Sequence, residues 1–257
     1  MPIVSQISVS QLKDKTVLVT GGARRLGKAI ALAAADAGAH VALTYLSSVS
    51  QARHTLEEIH KRRGKGLIVP CDVGKEESVA LAVSKVAETF GRLDVLVNNA
   101  GMFATARFEE ITVQAWDDIF AANVRGPFLM SKHCVPWLRK NDGRIVHMGS
   151  LGGNKPWATH AHYCSSKAAL HMLTRVMAKA LAPEIAVNCV APGMINAAVD
   201  GAESSRNREL LERLAAKTPM GRNGSAGDIV DAVMYFATAS HFITGQVLTV
   251  DGGLGLQ

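Results

Sequence analysis

The sequence has few cysteines, few aromatic residues and no long apolar run. Its four cysteines, Cys71, Cys134, Cys164 and Cys189, lack the spacing of a disulfide framework or of a zinc site. We therefore expect reduced thiols and no metal site. No apolar stretch approaches the roughly 20 residues that span a bilayer, so we expect no insertion into a membrane.

The excess of positive charge in the sequence is not gathered into one basic block. The 28 Lys and Arg residues exceed the 22 Asp and Glu residues, but the basic residues are spread along the chain. Proteins that bind nucleic acids gather such residues on one face or stretch, so we expect no nucleic-acid partner. The start, Met1–Gln6, has no basic region followed by a hydrophobic one, and we expect a cytoplasmic protein.

Short β-branched runs alternate with helical patterns along all 257 residues. This alternation predicts an α/β fold: one Rossmann-type, doubly wound domain over residues 1–257, with about seven parallel strands and helices on both faces. The predicted strands are Thr16–Thr20, His40–Tyr45, Gly66–Pro70, Leu93–Val97, Arg144–Met148, Ile185–Val190 and Val247–Val250.

A glycine-rich turn, Thr20–Gly27, separates the first predicted strand from the helical pattern at Lys28–Ala33. In this context small residues let the backbone approach a pyrophosphate, and the helix N-terminus offers free N–H groups. Glycines also serve ordinary tight turns, and this segment alone leaves that alternative open.

The residues after the second predicted strand favour NADPH over NADH. Tyr45–Ser48 contains no Asp or Glu, the residue that an NAD enzyme places on the adenosine ribose. Arg24 and Arg25 stand in the first turn, and Ser47 can donate a hydrogen bond, which suits a 2′-phosphate. After the third strand, Asp72 either binds the adenine amino group or caps the next helix.

Three residues in the second half of the chain indicate proton transfer. Tyr163 and Lys167 are four residues apart in a helical stretch and so share a face. A lysine cation there would lower the pKa of the tyrosine, and Ser150 could hold the substrate oxygen. Taken alone, however, this Tyr-Lys spacing is more typical of an ordinary amphipathic helix.

Taken together, these segments resemble the short-chain dehydrogenase/reductase family over essentially the full length. The motifs that agree in order and spacing are the glycine-rich turn, Cys71–Val73, Asn98–Gly101, Ala122–Val124, Ser150, Tyr163 with Lys167, and Pro192 with Gly193. The resemblance implies an oxidoreductase that moves a hydride between NADP(H) and a carbonyl or alcohol carbon, for example in a 3-oxoacyl thioester. It also implies a homodimer or homotetramer.

The same resemblance implies a role for each site residue. Tyr163 would be the general acid/base, Lys167 would lower its pKa and bind the nicotinamide ribose, Ser150 would position the carbonyl, and Asn123 would hold a relay water. The predicted cofactor residues are Gly21, Arg24, Arg25, Leu26, Gly27, Ser47, Asp72, Val73, Asn99, Ala100, Gly101, Tyr163, Lys167, Pro192, Gly193 and Ile195.

Departures from the common family pattern leave two alternative functions open. The Arg25–Gly27 turn resembles that of pteridine reductases, and Phe103 stands where their aromatic stacks on the pterin, although it could equally line an apolar wall. Those enzymes have an Asp in place of Ser150. The second alternative is a dinucleotide-binding sensor without catalysis.

The substrate side is the least informative part of the sequence. We expect a mobile lid near residues 194–217 and, for the histidines at 160 and 162, ordinary surface or capping roles. Asn196 stands where the family usually has a Thr that binds the nicotinamide carboxamide. The substrate-facing candidates are Leu151, Asn154, Trp157, His160 and Met194.

Overall fold

In the computed structural model, which describes residues 12–62, 65–196 and 205–256, seven strands form one sheet. All neighbouring strands are parallel, and their order is β3-β2-β1-β4-β5-β6-β7. The doubly wound α/β fold predicted from the sequence is therefore confirmed. The strands are β1 Thr16–Val19, β2 His40–Tyr45, β3 Gly66–Pro70, β4 Val95–Asn98, β5 Arg144–Met148, β6 Ala186–Pro192 and β7 Val247–Val250.

Helices cover both faces of the sheet. α1, α2 and α8 pack on one face, and α3, α5 and α6 pack on the other. The helices are α1 Arg25–Asp36, α2 Val49–His60, α3 Glu76–Phe90, α4 Val113–Phe120, α5 Gly126–Leu138, α6 Ala161–Leu181, α7 Ser205–Lys217 and α8 Ala226–Thr238, with a π-helical turn Ala121–Arg125 between α4 and α5.

The central strands are apolar on both sides because both sides are covered. In β1, Val17 and Val19 pack into the core beneath α1 and α8, whereas Leu18 packs into the core beneath α3 and α5. All three side chains are buried. Successive side chains of a strand point to opposite faces, so a strand buried on both sides shows no alternation of polarity.

Three strands differ from the prediction: β1 ends at Val19 rather than Thr20, and β4 and β6 differ at both ends. β4 begins at Val95 rather than Leu93, because the carboxylate of Asp94 accepts the Thr16 backbone N–H at 2.8 Å and also binds Arg92. β6 continues to Pro192, which is aligned with Val250 of β7.

The strand order places a binding crevice between β1 and β4. The chain runs outward from β1 to β3 and then crosses to β4 on the other side of β1. Ligands of such sheets bind at the carboxyl ends of the strands beside this reversal. Within the described residues, no helix has the length and apolar character needed to cross a membrane. Of the predicted lid, α7 covers the second half, and residues 197–204 lie outside the described part of the chain.

Candidate active site

A cavity of about 730 Å³ opens at the carboxyl ends of β1 to β4. It brings together most of the residues that the sequence assigns to the cofactor. Those that line it are Gly21, Arg24, Arg25, Leu26, Gly27, Ser47, Asp72, Val73, Asn99, Ala100 and Gly101.

The turn between β1 and α1 has the shape needed to receive a phosphate group. A Cβ at Gly27 would lie 2.3 Å from the Gly21 carbonyl oxygen and 2.5 Å from Asn99 Nδ2, so only glycine fits there. Gly21 has a φ of +63°, a backbone conformation that favours glycine. No side chain caps the first turn of α1, so its N–H groups are free to bind an anion. These residues therefore fit a dinucleotide.

The adenosine corner of the cavity is rich in basic and hydroxyl side chains. Arg24 and Arg25 are exposed at the start of α1, and Ser47 is exposed just after β2. Tyr45–Ser48, which also lines the cavity, contains no carboxylate. A guanidinium pair without an opposing acid is the arrangement that suits a phosphate.

The structure excludes one of the two local roles considered for Asp72. α3 begins at Glu76 behind Lys75, so Asp72 is not its cap, and that alternative is wrong. Instead, Asp72 Oδ1 accepts the Gly74 backbone N–H at 3.0 Å, and Oδ2 lies 3.4 Å from Lys75 Nζ. Its carboxylate lines the cavity, and its contact with the adenine stays a prediction.

Tyr163, Lys167 and Ser150 meet beside this cavity. Tyr163 lies in the first turn of α6, Lys167 lies in the next turn, and Ser150 follows β5 by two residues. The Ser150 side chain neighbours the Tyr163 phenol and acts to lower its pKa. The buried Lys167 donates its ammonium to the Met148 carbonyl oxygen at 2.8 Å, and its Nζ lies 5.8 Å from the centre of the Tyr163 ring.

Burial decides the direction of the Tyr163 pKa in this arrangement, and a lowering of that pKa by Lys167 stays a prediction. Burial raises the pKa of Tyr163 above 10.0, and the neighbouring Ser150 side chain only partly opposes this effect. Burial also lowers the pKa of Lys167 to about 8, because an ammonium loses its hydration there. The phenol is thus set to keep its proton at neutral pH.

Asn123 joins the same site through an unusual helical turn. It lies in the π-helical segment Ala121–Arg125, and such segments are frequent at functional sites. Its Oδ1 accepts the Met102 N–H at 2.7 Å, and its Nδ2 donates to the Met102 carbonyl oxygen and to Ser166 Oγ. A Cβ on Gly101 would lie 2.9 Å from Asn123 Oδ1 and 3.7 Å from Lys167 Nζ. The predicted catalytic residues are therefore neighbours, while the relay water stays a prediction.

The remaining predicted cofactor residues lie at the end of β6. Pro192 is the last residue of the strand, and Gly193 donates its N–H to the Val250 carbonyl oxygen. The Ile195 side chain packs against the core beneath α8, and the residue pairs with Gly224. None of these three lines the cavity, so their contact with the nicotinamide stays a prediction.

Aromatic side chains surround Tyr163 on the substrate side. The exposed ring of Phe103 meets Tyr163 edge-on with the ring centres 4.9 Å apart, and it lies 5.0 Å from His160. Trp157 packs against both His160 and Tyr163. Trp157 and His160 therefore stay candidates for substrate contact.

Two other assignments on the substrate side are wrong. Leu151 is buried in the fold rather than open to a substrate. His162 is buried, not superficial, and its Nδ1 has no hydrogen-bond partner. The Asn154 side chain is exposed and hydrogen-bonds to His171 and Thr249, so its contact with a substrate stays a prediction. His171, which the sequence reasoning missed, lies four residues beyond Lys167 on α6, and that spacing is the one signal that could have found it.

Comparison with known proteins agrees with this geometry. A family model described as enoyl-(acyl carrier protein) reductase matches residues 21–255. The 3-oxoacyl-(acyl-carrier-protein) reductase of Staphylococcus aureus is 35% identical over 243 residues, which are 93% of this chain and 98% of that protein. A mutant short-chain dehydrogenase/reductase from Serratia marcescens has a TM-score of 0.88 at 33% identity, covering 95% of this chain and 99% of its own. The chain belongs to the short-chain dehydrogenase/reductase family.

A second solved member of the family has an equally similar structure. A putative short-chain alcohol dehydrogenase from Sinorhizobium meliloti has a TM-score of 0.89 at 32% identity, covering 96% of this chain and 98% of its own. As a short-chain dehydrogenase/reductase, the chain is an oxidoreductase that uses a nicotinamide cofactor.

Proposed function

We propose that this short-chain dehydrogenase/reductase uses NADPH to reduce a ketone to an alcohol, and that the reaction is reversible. The observation that carries the proposal is the grouping of Ser150, Tyr163 and the buried Lys167 beside the dinucleotide cavity, with Lys167 Nζ 5.8 Å from the centre of the Tyr163 ring. A protonated phenol with a raised pKa suits a general acid better than a base at neutral pH.

Four side chains divide the work of the reaction. When bound, the reduced nicotinamide supplies the hydride that adds to the carbonyl carbon. Ser150 donates a hydrogen bond to the carbonyl oxygen and orients it. Tyr163 then gives its phenolic proton to that oxygen, which completes the alcohol and leaves a phenolate. The Lys167 ammonium stabilises this phenolate, and Asn123 fixes the loop at Met102 beside it.

The preference for NADPH is supported by the cavity's charge. The test compares kcat/KM for NADPH and NADH in the wild type and in the double variant Arg24→Ala/Arg25→Ala. One hydrogen bond to a charged group is worth about 1.5–3 kcal/mol, so the variant should lose about tenfold or more with NADPH alone. Arg53→Ala, an exposed arginine of α2 that does not line the cavity, is the control. A wild type that prefers NADH would refute the preference.

Two substrate classes are supported, one by a relative and the other by the ring of Phe103. A 3-oxoacyl thioester is the first candidate, because the Staphylococcus aureus relative is named for that reaction. A pterin is the second, because Phe103 is 62% exposed and lies against Tyr163. The test measures NADPH oxidation with a 3-oxoacyl thioester, simple ketones and dihydrobiopterin. Tight NADPH binding without turnover on any of them would favour a dinucleotide-binding sensor.

We further propose a cytoplasmic homodimer or homotetramer. The subunit proposal is supported by large apolar side chains exposed on α5, α6 and α8, namely Phe128, Met172, Val176 and Tyr235. The location is supported by the cysteines, since all four are free thiols in the structure.

A further inference from the structure

The loop that carries Ser150 is folded around the imidazole of His171. This ring lies on α6, two turns beyond Tyr163, and is only 3% exposed. A Cβ on Gly149 would lie 2.4 Å from His171 Nε2, and one on Gly153 would lie 2.5 Å from Cε1. Real Cβ contacts are essentially never shorter than 3.0 Å. Glycines on both sides of Ser150 therefore make the room that the ring fills.

Both ring nitrogens bind the same loop. The Ser150 backbone N–H donates a long hydrogen bond to His171 Nε2 at 3.4 Å, and Nδ1 lies 3.1 Å from Asn154 Oδ1. A neutral imidazole with its proton on Nδ1 satisfies both contacts, since it donates to the amide oxygen and accepts from the N–H. Asn154 donates in turn to Thr249 Oγ1 at 3.3 Å, which ties the loop to β7.

The surroundings keep the ring neutral. Burial lowers the pKa of His171 to about 4, and the nearby charges of Lys167 and Arg175 act in the same direction. At neutral pH the Nε2 lone pair is therefore available to the Ser150 N–H. The hydroxyl of Ser150 accepts the Gly152 N–H at 3.1 Å, so its orientation also depends on the shape of this loop.

His171 differs from the other buried histidines of the described chain. His147 pairs through Nδ1 with Asn98 at 3.2 Å, but its Nε2 has no hydrogen-bond partner, and neither does His162 Nδ1. Both nitrogens of His171 are paired, and both partners belong to the catalytic serine's loop. The pairing thus separates a specific contact from ordinary packing.

We infer that His171 is a positioning residue, which holds the Ser150 loop in the shape that aims the serine hydroxyl at Tyr163 and at the substrate oxygen. The inference rests on the proposed function, because it takes Ser150 as the group that orients the carbonyl. It adds a fifth side chain to the reaction without contact to the substrate.

Three substitutions separate the two hydrogen bonds. His171→Gln keeps an acceptor near the Nε2 position, His171→Asn keeps a donor near Nδ1, and His171→Leu keeps neither. Because a misplacement of about 1 Å costs up to about 100-fold, kcat for a reduced ketone should fall at least about tenfold in His171→Leu. His171→Gln should recover most of it, and KM for NADPH should stay unchanged. His147→Leu, also buried, controls for loss of stability.

A double-mutant cycle with Ser150→Ala distinguishes positioning from general damage. If His171 acts through Ser150, His171→Leu should cost little further activity in the Ser150→Ala background. The inference would be overturned if the kcat losses of His171→Leu and Ser150→Ala multiply fully in the double variant. It would also be overturned if kcat of His171→Gln is no higher than that of His171→Leu. In those cases the wild type still reduces ketones, and the proposed function stands.

The tautomer of His171 can also be measured without any substrate or turnover. Nitrogen NMR of histidine-labelled wild-type protein at neutral pH should show His171 with a protonated Nδ1 and a bare Nε2. The opposite tautomer would overturn the inference even if every ketone failed. Failure of all substrates together with the expected tautomer would instead count against the proposed function alone.

Discussion

The Tyr163 phenol is half-buried, and burial outweighs the opposing effect of the Ser150 side chain, so its pKa lies above the ordinary value. Replacing it with phenylalanine removes the proton while leaving the ring contacts with Phe103 and Trp157. We predict that Tyr163→Phe lowers kcat by about 100-fold or more with little change in NADPH affinity. Steady-state kinetics and fluorescence titration measure both, and Tyr235→Phe, an exposed tyrosine, is the control. Near-normal turnover would rule out Tyr163 as the acid.

We predict that Lys167 determines the pH dependence of ketone reduction. Burial lowers its pKa to about 8, so the ammonium is charged below that pH and neutral above it. Since kcat/KM reports groups of the free enzyme, kcat/KM for NADPH in ketone reduction should be level near pH 7 and fall as the pH rises through about 8. In Lys167→Arg, which keeps its charge, any residual activity should lack this fall. A wild-type profile that stays level to pH 10 would contradict the assignment.

Arg25 occupies a backbone conformation that arginine rarely adopts. Its φ is +51°, and this left-handed region costs a residue with a Cβ about 1–2 kcal/mol. Glycine would remove that strain but lose about 0.5–1 kcal/mol through its freer unfolded chain. We predict that Arg25→Gly raises the free energy of urea unfolding by up to about 1 kcal/mol while weakening NADPH binding. Arg53→Gly, within α2, should lower that free energy by about 1 kcal/mol, and a loss of stability in Arg25→Gly would refute the strain.

At the level of elements, the π-helical turn Ala121–Arg125 directs Asn123 inward to bind the main chain of Met102. Without that side chain, a part-buried N–H and carbonyl lose their partner. We predict that Asn123→Ala lowers the free energy of unfolding by about 1–3 kcal/mol and also lowers kcat. Asn141→Ala loses bonds to Leu93 and Trp137 away from the site, so it should lower stability without lowering kcat. Equal kcat losses in both variants would assign the effect to stability alone.

The sequence predicts an element well where neighbouring residues determine it, and less well where residues far apart in the chain determine it. β2, β3, β5 and β7 have the predicted bounds, because β-branched runs flanked by turns show strands directly. The start of β4 is displaced by the contact between Asp94 and Thr16, which lie far apart in the chain. The Tyr163–Lys167 pair follows from helical spacing, but their pKa values depend on burial, and His171 depends on a loop that packs against it only in the fold.

At the scale of the whole molecule, apolar side chains remain uncovered on the outer face of α5 and α6. Phe128 shares a surface groove with Leu173, and Met172 and Val176 are exposed nearby on α6. We predict that sedimentation gives a multiple of 27.3 kDa for the wild type and a smaller species for Phe128→Glu/Val176→Glu. Leu81→Glu on α3, which is also exposed, should leave the mass unchanged. A monomeric wild type would refute this interface.

α6 carries Tyr163, Lys167 and His171 at intervals of four residues, at increasing depth in the molecule. One inserted or deleted residue between them would turn everything beyond it by about 100° around the helix axis. The loops at the strand ends can therefore change in length during evolution, whereas the length of helix between these three residues must stay constant. New substrates would then arise by exchange of loops around an unchanged helix, which is also the practical route for a protein engineer.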